Sequence, residues 1–140
     1  MVNEIIDGIV GALSDTFGET YEIYTEPVRQ DLVPPCFCVH LLSASTTLEP
    51  NGVKVLTGLF DIRYHPAAPM GNMEMYRVAN TLTGALELIS VEGVKLRGVD
   101  RRWEVFDEVL HFFVSYTLRY VVLPDSEVME KLENNTTLKG

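Results

Sequence analysis

"VLHFFVSYTLRYVV", Val109–Val122, contains no Gly, no Pro and no acidic residue. Its even positions (Leu110, Phe112, Val114, Tyr116, Leu118, Tyr120, Val122) are all apolar or aromatic. Its odd positions mix polar and apolar groups, from His111 through Ser115 and Thr117 to Arg119. A two-residue period of this kind is a β-strand with one buried face. At roughly 3.3 Å per residue it would span about 46 Å, against a usual strand of about 5–6 residues. Such a strand needs a sheet beside it and a layer over its even face, and both can be sought outward along the chain.

Immediately before it lies "VKLRGVDRRWEVF", also β-rich and separated only by Asp107-Glu108. So short a link implies a tight hairpin, although neither residue is Gly and the turn type stays open. Further upstream, "VKVLTGLFDIRYH" places Leu56, Gly58, Phe60, Ile62 and Tyr64 on one face. "CFCVHLL" is mostly apolar and reads as a strand lying centrally in the sheet. The intervening "SASTTLEPNG" reads as a loop ending in the turn pair Asn51-Gly52. A short strand is expected in "YEIYTE", and "PVRQDLVPP", with its prolines, as an extended loop.

Two segments have a helical period instead. Ile5, Ile6, Ile9, Val10, Leu13 and Phe17 recur at three- and four-residue intervals, with Asn3 as a candidate cap and Gly18 as a stop. Met75, Val78, Ala79, Leu82, Leu86 and Ile89 give a second stripe, opened by Asn72. The resulting order is α-β-β-β-α-β-β: an α+β domain with two helices packed on one face of a mainly antiparallel sheet and a long C-terminal hairpin. Residues 1–122 are read as this single domain, and 123–140 as a polar tail, partly disordered or forming a short helix.

The 140 residues carry a net charge of −9. Residues 1–50 hold eight acids and one base, residues 51–122 eight of each, and the last eighteen four acids and two bases. An acidic surface repels polyanions, which argues against tight nucleic-acid binding. No apolar run reaches the ~20 residues of a membrane span. The acidic start "MVNEIIDGIVGALSD" lacks the basic region of a signal peptide, so a cytoplasmic chain is expected. Cys36 and Cys38 fall on one strand face, where a disulfide would be strained and no second pair completes a zinc site, so they read as buried thiols.

Catalytic signatures do not emerge. His40, His65 and His111 have no metal-ligand spacing, and no Gly-x-Ser-x-Gly elbow or Gly-rich phosphate loop is present. Asp61 and Arg63 fit a same-face ion pair. No catalytic, cofactor or metal residue is therefore expected, and the chain is not read as an enzyme. The basic cluster Lys95, Arg97, Arg101 and Arg102 beside Trp103 has the residue types of protein–protein hot spots. With Asp100, Glu104, Asp107 and Glu108 alongside, a protein partner suits it better than nucleic acid. Arg97, Arg101, Arg102, Trp103, His111 and Arg119 are the candidate subunit or partner interface.

Taken in order, "NEIIDGIVGAL", "YEIYTEPVRQDLVPPCFCVHLL", "FDIRYHP" and "LRGVDRRWEVFDEVLHFFVSY" resemble the tail terminator-like family of long-tailed phages and prophages of Gram-positive bacteria. The resemblance covers Val2 to Val122. It implies a structural virion protein that assembles as a ring, typically a hexamer in the family, on the head-proximal end of the tail tube. Such a ring ends tail polymerisation and offers the surface that joins tail to head. It implies as partners a second copy, the tail tube protein and a head-completion or neck protein, with DNA passing through the lumen, no membrane and no cofactor. It also implies a location in the virion tail, reached from the host cytoplasm. The Asp107-Glu108 turn departs from the Asp-Gly expected there. The alternatives are a neck or head–tail joining protein of the same particle, and a small dimeric ligand-binding regulatory α+β module.

Overall fold

The computed structural model describes residues 1–26, 32–68, 71–122 and 129–133, the last five by backbone alone. Its elements, in chain order, are α1 (Val2–Phe17), β1 (Glu22–Tyr24), β2 (Cys36–Leu48), β3 (Lys54–His65), α2 (Asn72–Ala85), β4 (Leu88–Val91), β5 (Val94–Arg97), β6 (Val99–Phe106), β7 (Val109–Val122) and β8 (Met129–Glu133). The main sheet runs β1-β2-β3-β7-β6, with β8 pairing the far end of β7. All its pairs are antiparallel except β1 with β2. The expected α+β class and coarse element order are thus present.

Strand β7 lies between β3 and β6, and its length is used on both sides. Tyr64↔Leu110 through Lys54↔Tyr120 pair it with β3, while Val99↔Ser115 through Phe106↔Val109 pair it with β6. Its even residues Leu110, Phe112, Val114, Tyr116 and Leu118 are buried, together with Leu56, Phe60, Ile62 and Tyr64 of β3. Over this face lie Ile5, Ile9 and Leu13 of α1, Met75, Val78, Ala79 and Leu82 of α2, and Ile89, Val91 and Leu96 of the β4–β5 hairpin. At about 25 cal/mol per Å² of apolar surface buried, this common core is the main stabilising term.

Four local readings change. Helix α2 ends at Ala85 rather than continuing to Ile89, and Leu88–Val91 turns back as β4. Its last apolar residues still face the core, which is why a helical period had absorbed them. "VKLRGVDRRWEVF" is two strands in different sheets, divided at Gly98. A Cβ on Gly98 would sit 2.5 Å from the Leu86 carbonyl oxygen and 2.7 Å from Val114 Cγ2, so only glycine fits this crossing. "SASTTL" extends β2 to Leu48 instead of forming a loop, and β2 lies one place from the edge rather than centrally. Met129–Glu133 is a strand, within the tail read as partly disordered or forming a short helix; the rest of that tail lies outside the described residues.

The turn between β6 and β7 has a definite type. Asp107 and Glu108 have φ of 55° and 62°, the double left-handed conformation of a type I′ turn. Helix α1 stops where expected, at Gly18 (φ 78°), whose N–H donates to the Ser14 carbonyl at 2.9 Å. The expected side-chain caps are absent: Met1 and Gly71 hold the N-cap positions, without a side-chain hydrogen bond.

Candidate functional site

Both helices and the β4–β5 hairpin lie on one side of the main sheet, and its opposite side has no layer over it among the described residues. Strand parity decides which side chains appear there. The odd residues of β3 and β7 face outward, and register brings His40 opposite Asp61, Arg63 opposite His111, and Arg102 opposite Phe113.

Asp61 is the hub of this open face. Its Oδ2 accepts from Arg63 Nε at 2.9 Å and lies 3.0 Å from His111 Nδ1. Its Oδ1 has no hydrogen-bond partner, although Asp61 is only 2% exposed. A buried carboxylate oxygen without a donor carries a desolvation cost of about 1–3 kcal/mol. Beyond His111 the contacts continue along β7 and onto β6. The imidazole stacks on Phe113 at 6.3 Å between centroids, and the Arg102 guanidinium sits 4.4 Å over the same ring. A cation over an aromatic face is attracted by the ring quadrupole. Arg63, Asp61, His111, Phe113 and Arg102 therefore form one continuous line across three strands.

The six predicted interface residues separate into three groups. Arg102 and His111 meet through Phe113 on the open face, and Arg119 shares that face farther along β7. Arg119 Nη1 donates to both carboxylate oxygens of Glu49, at 2.7 and 2.6 Å. Arg101 and Trp103 point to the helix side. Arg101 donates to the Thr83 carbonyl, one of the last carbonyls of α2, and Trp103 lies 5.7 Å from the ring of Tyr76. Arg97 stands apart on the small hairpin, paired with Glu87 at 3.0 Å in an exposed bridge worth little to stability. Asp61, Arg63 and Phe113 complete the line with the first group. The Asp61–Arg63 spacing was visible in the sequence, whereas their meeting with β7 depends on long-range register.

Burial pushes the Cys36 thiol up to about 12 and raises that of Cys38 as well. Both are therefore protonated and poor nucleophiles at neutral pH. Among the described residues no group of three or more His, Cys, Asp or Glu side chains could hold a metal ion, and no helix is long and apolar enough to cross a membrane. A groove of about 270 Å³ lies between α1 and the small hairpin, lined by Asp7, Gly11, Asp15, Leu88 and Lys95.

The sheet ends in two unlike edges. β1 pairs only with Cys36–Cys38, so β2 from Val39 to Leu48 has no outer neighbour among the described residues. β6 closes the other side. Leu41, Leu42 and Leu48 of β2 are exposed, as are Val99 and Phe106 of β6.

Against known families, the model for the phage tail terminator protein family matches residues 4–129. The chain belongs to the phage tail terminator family. The match runs from α1 to the first residue of β8 and includes every element that builds the core. Membership makes this a structural phage tail protein. No curated protein matches the chain.

Proposed function

We propose that this protein caps the head-proximal end of a phage tail tube as a ring, ends tube polymerisation and presents the surface to which the head is joined. The observation that supports this reading most is the family match over residues 4–129. The architecture is compatible with it. A ring made of one kind of subunit needs two different patches that meet head to tail, and this sheet has two unlike edges and an uncovered face. A net charge of −9 suits a conduit through which DNA slides, because acidic walls repel phosphates. The partners in this reading are neighbouring copies, the tail tube protein and a head-completion protein. The interface includes Arg102, His111 and the line of contacts through Phe113.

Electron microscopy of particles made without the gene tests the proposal. Tails of uncontrolled length that carry no heads are expected, with normal particles restored by the gene in trans. Tails of normal length joined to heads in its absence would refute it.

A further inference from the structure

We propose that the outer edge of β2, from Val39 to Leu48, receives β6 of a second copy of this chain, so that the sheets of adjacent subunits run on into each other. The inference rests on the ring reading above and names the seam within it.

An edge strand presents N–H and C=O groups that another strand can satisfy, and monomers usually blunt such edges with charge or proline. The sequence Val39–Leu48, VHLLSASTTL, has no Asp, Glu, Lys, Arg or Pro, although 22% of the chain is charged. Its only irregularity is the register shift between Leu41 and Ser43. Three leucines along it are left in solvent: Leu41 at 38%, Leu42 at 47% and Leu48 at 70% exposed. Strand geometry and apolar contact are thus both offered to an occupant.

The occupant is a second copy because the same sheet ends in a different strand of comparable length. β6 has eight residues, with Phe106 at 70% and Val99 at 45% exposed. The two borders also match in apolar character: Leu41, Leu42 and Leu48 stand exposed along the β2 edge, and Val99 and Phe106 stand exposed at the two ends of β6, where apolar side chains of adjoining edge strands would cover one another. Pairing β2 with β2 would stop at a dimer, whereas β2 with β6 is heterologous, the kind of contact from which a closed ring is built.

Hydrogen–deuterium exchange on the full chain, compared between free subunits and assembled rings, reads the backbone directly. Amides within 39–48 and 99–106 are expected to slow by about tenfold or more on assembly. Assembled rings in which either stretch exchanges as in the free subunit overturn the seam while leaving the ring intact. A chain that forms no ring, alone or on tail tubes, overturns the ring reading and the seam with it. The exposed double substitution Ser45→Lys with Thr47→Lys is expected to keep the thermal transition and to raise the concentration needed for assembly by about tenfold or more. Unchanged assembly by that variant also overturns the proposal.

Discussion

Asp61 and His111, on neighbouring strands β3 and β7, meet with 3.0 Å between carboxylate Oδ2 and imidazole Nδ1. The contact ties together the two strands that carry most of the core, on the face where no helix covers them. Removing the carboxylate leaves His111 and Arg63 without their shared acceptor, although Arg63 is exposed enough to be hydrated. Asp61→Ala is expected to lower stability by about 1–3 kcal/mol, measured by urea denaturation. A change below about 0.5 kcal/mol would show that the unpartnered Oδ1 cancels the gain at Oδ2.

Two other histidines on this face respond to pH. His40 and His65 both have pKa values pushed below the ordinary 6.5, first by burial and then by the Arg63 charge. His111 faces both and adds to the lowering; Asp61 opposes it at His40. A lowered pKa means that the folded state holds these rings neutral while the unfolded chain takes up protons near pH 6.5. Their contribution is therefore constant above about pH 7.5 and is lost as pH falls below about 6.5. The urea midpoint should fall between about pH 7.5 and pH 5.5, and His40→Gln with His65→Gln should flatten that fall. An equally steep fall in the double variant would assign it to other groups.

Gly8 and Gly11 stand three residues apart on α1 and should answer alanine in opposite ways. A Cβ on Gly8 would lie 2.6 Å from the Ser90 carbonyl oxygen and 3.0 Å from Val91 Cγ2, while one on Gly11 meets nothing within 4 Å. Gly8→Ala is expected to cost about 1–3 kcal/mol by forcing the helix from the hairpin. Gly11→Ala should stabilise by about 0.4–1 kcal/mol through helix propensity and a less free unfolded chain. Thermal melts of the two variants on either side of the parent would confirm the difference.

Tyr116 is fully buried, and its hydroxyl donates to the Leu86 carbonyl at 2.6 Å, just beyond the end of α2. Burial holds its phenol well above the ordinary tyrosine value, so it is a donor at all working pH values. Tyr116→Phe leaves that carbonyl unsatisfied and should cost about 1–3 kcal/mol, measured by denaturation.

Arg102 and Trp103 are consecutive but face opposite sides of β6. Trp103→Ala should loosen α2 through loss of the Tyr76 contact and lower stability by about 1–2 kcal/mol. Arg102→Ala should change stability by less than about 0.5 kcal/mol and be read in assembly instead. Equal loss of stability in both would contradict their separation by the sheet.

The fold was legible where one period persisted. β7, β3 and α1 follow directly from alternation or from three- and four-residue spacing, and the brevity of the Asp107–Glu108 link marked the last hairpin. Reading failed where short elements imitated their neighbours. Leu86 and Ile89 face the core and so prolonged a helical pattern beyond its true end at Ala85. Ser43–Thr47 looked like a loop because neither of its faces is buried, a property of an overhanging edge strand as much as of a loop. At the candidate site, residue types were readable but partners were not. A bulge between Val99 and Arg102 sets which side Arg102 and Trp103 face, and the sequence gives no sign of it.

The close seating of Gly8 against Ser90 also has a consequence for synthesis. Helix α1 leaves the ribosome well before part of its cover, because Gly8 packs against Ser90 of a hairpin encoded 82 residues later. Until that hairpin emerges, Ile5, Ile9 and Leu13 lack part of their native cover. The nascent chain must therefore carry a sticky amphipathic helix until those later residues are made, a natural handle for chaperones before the first subunit is available to assemble.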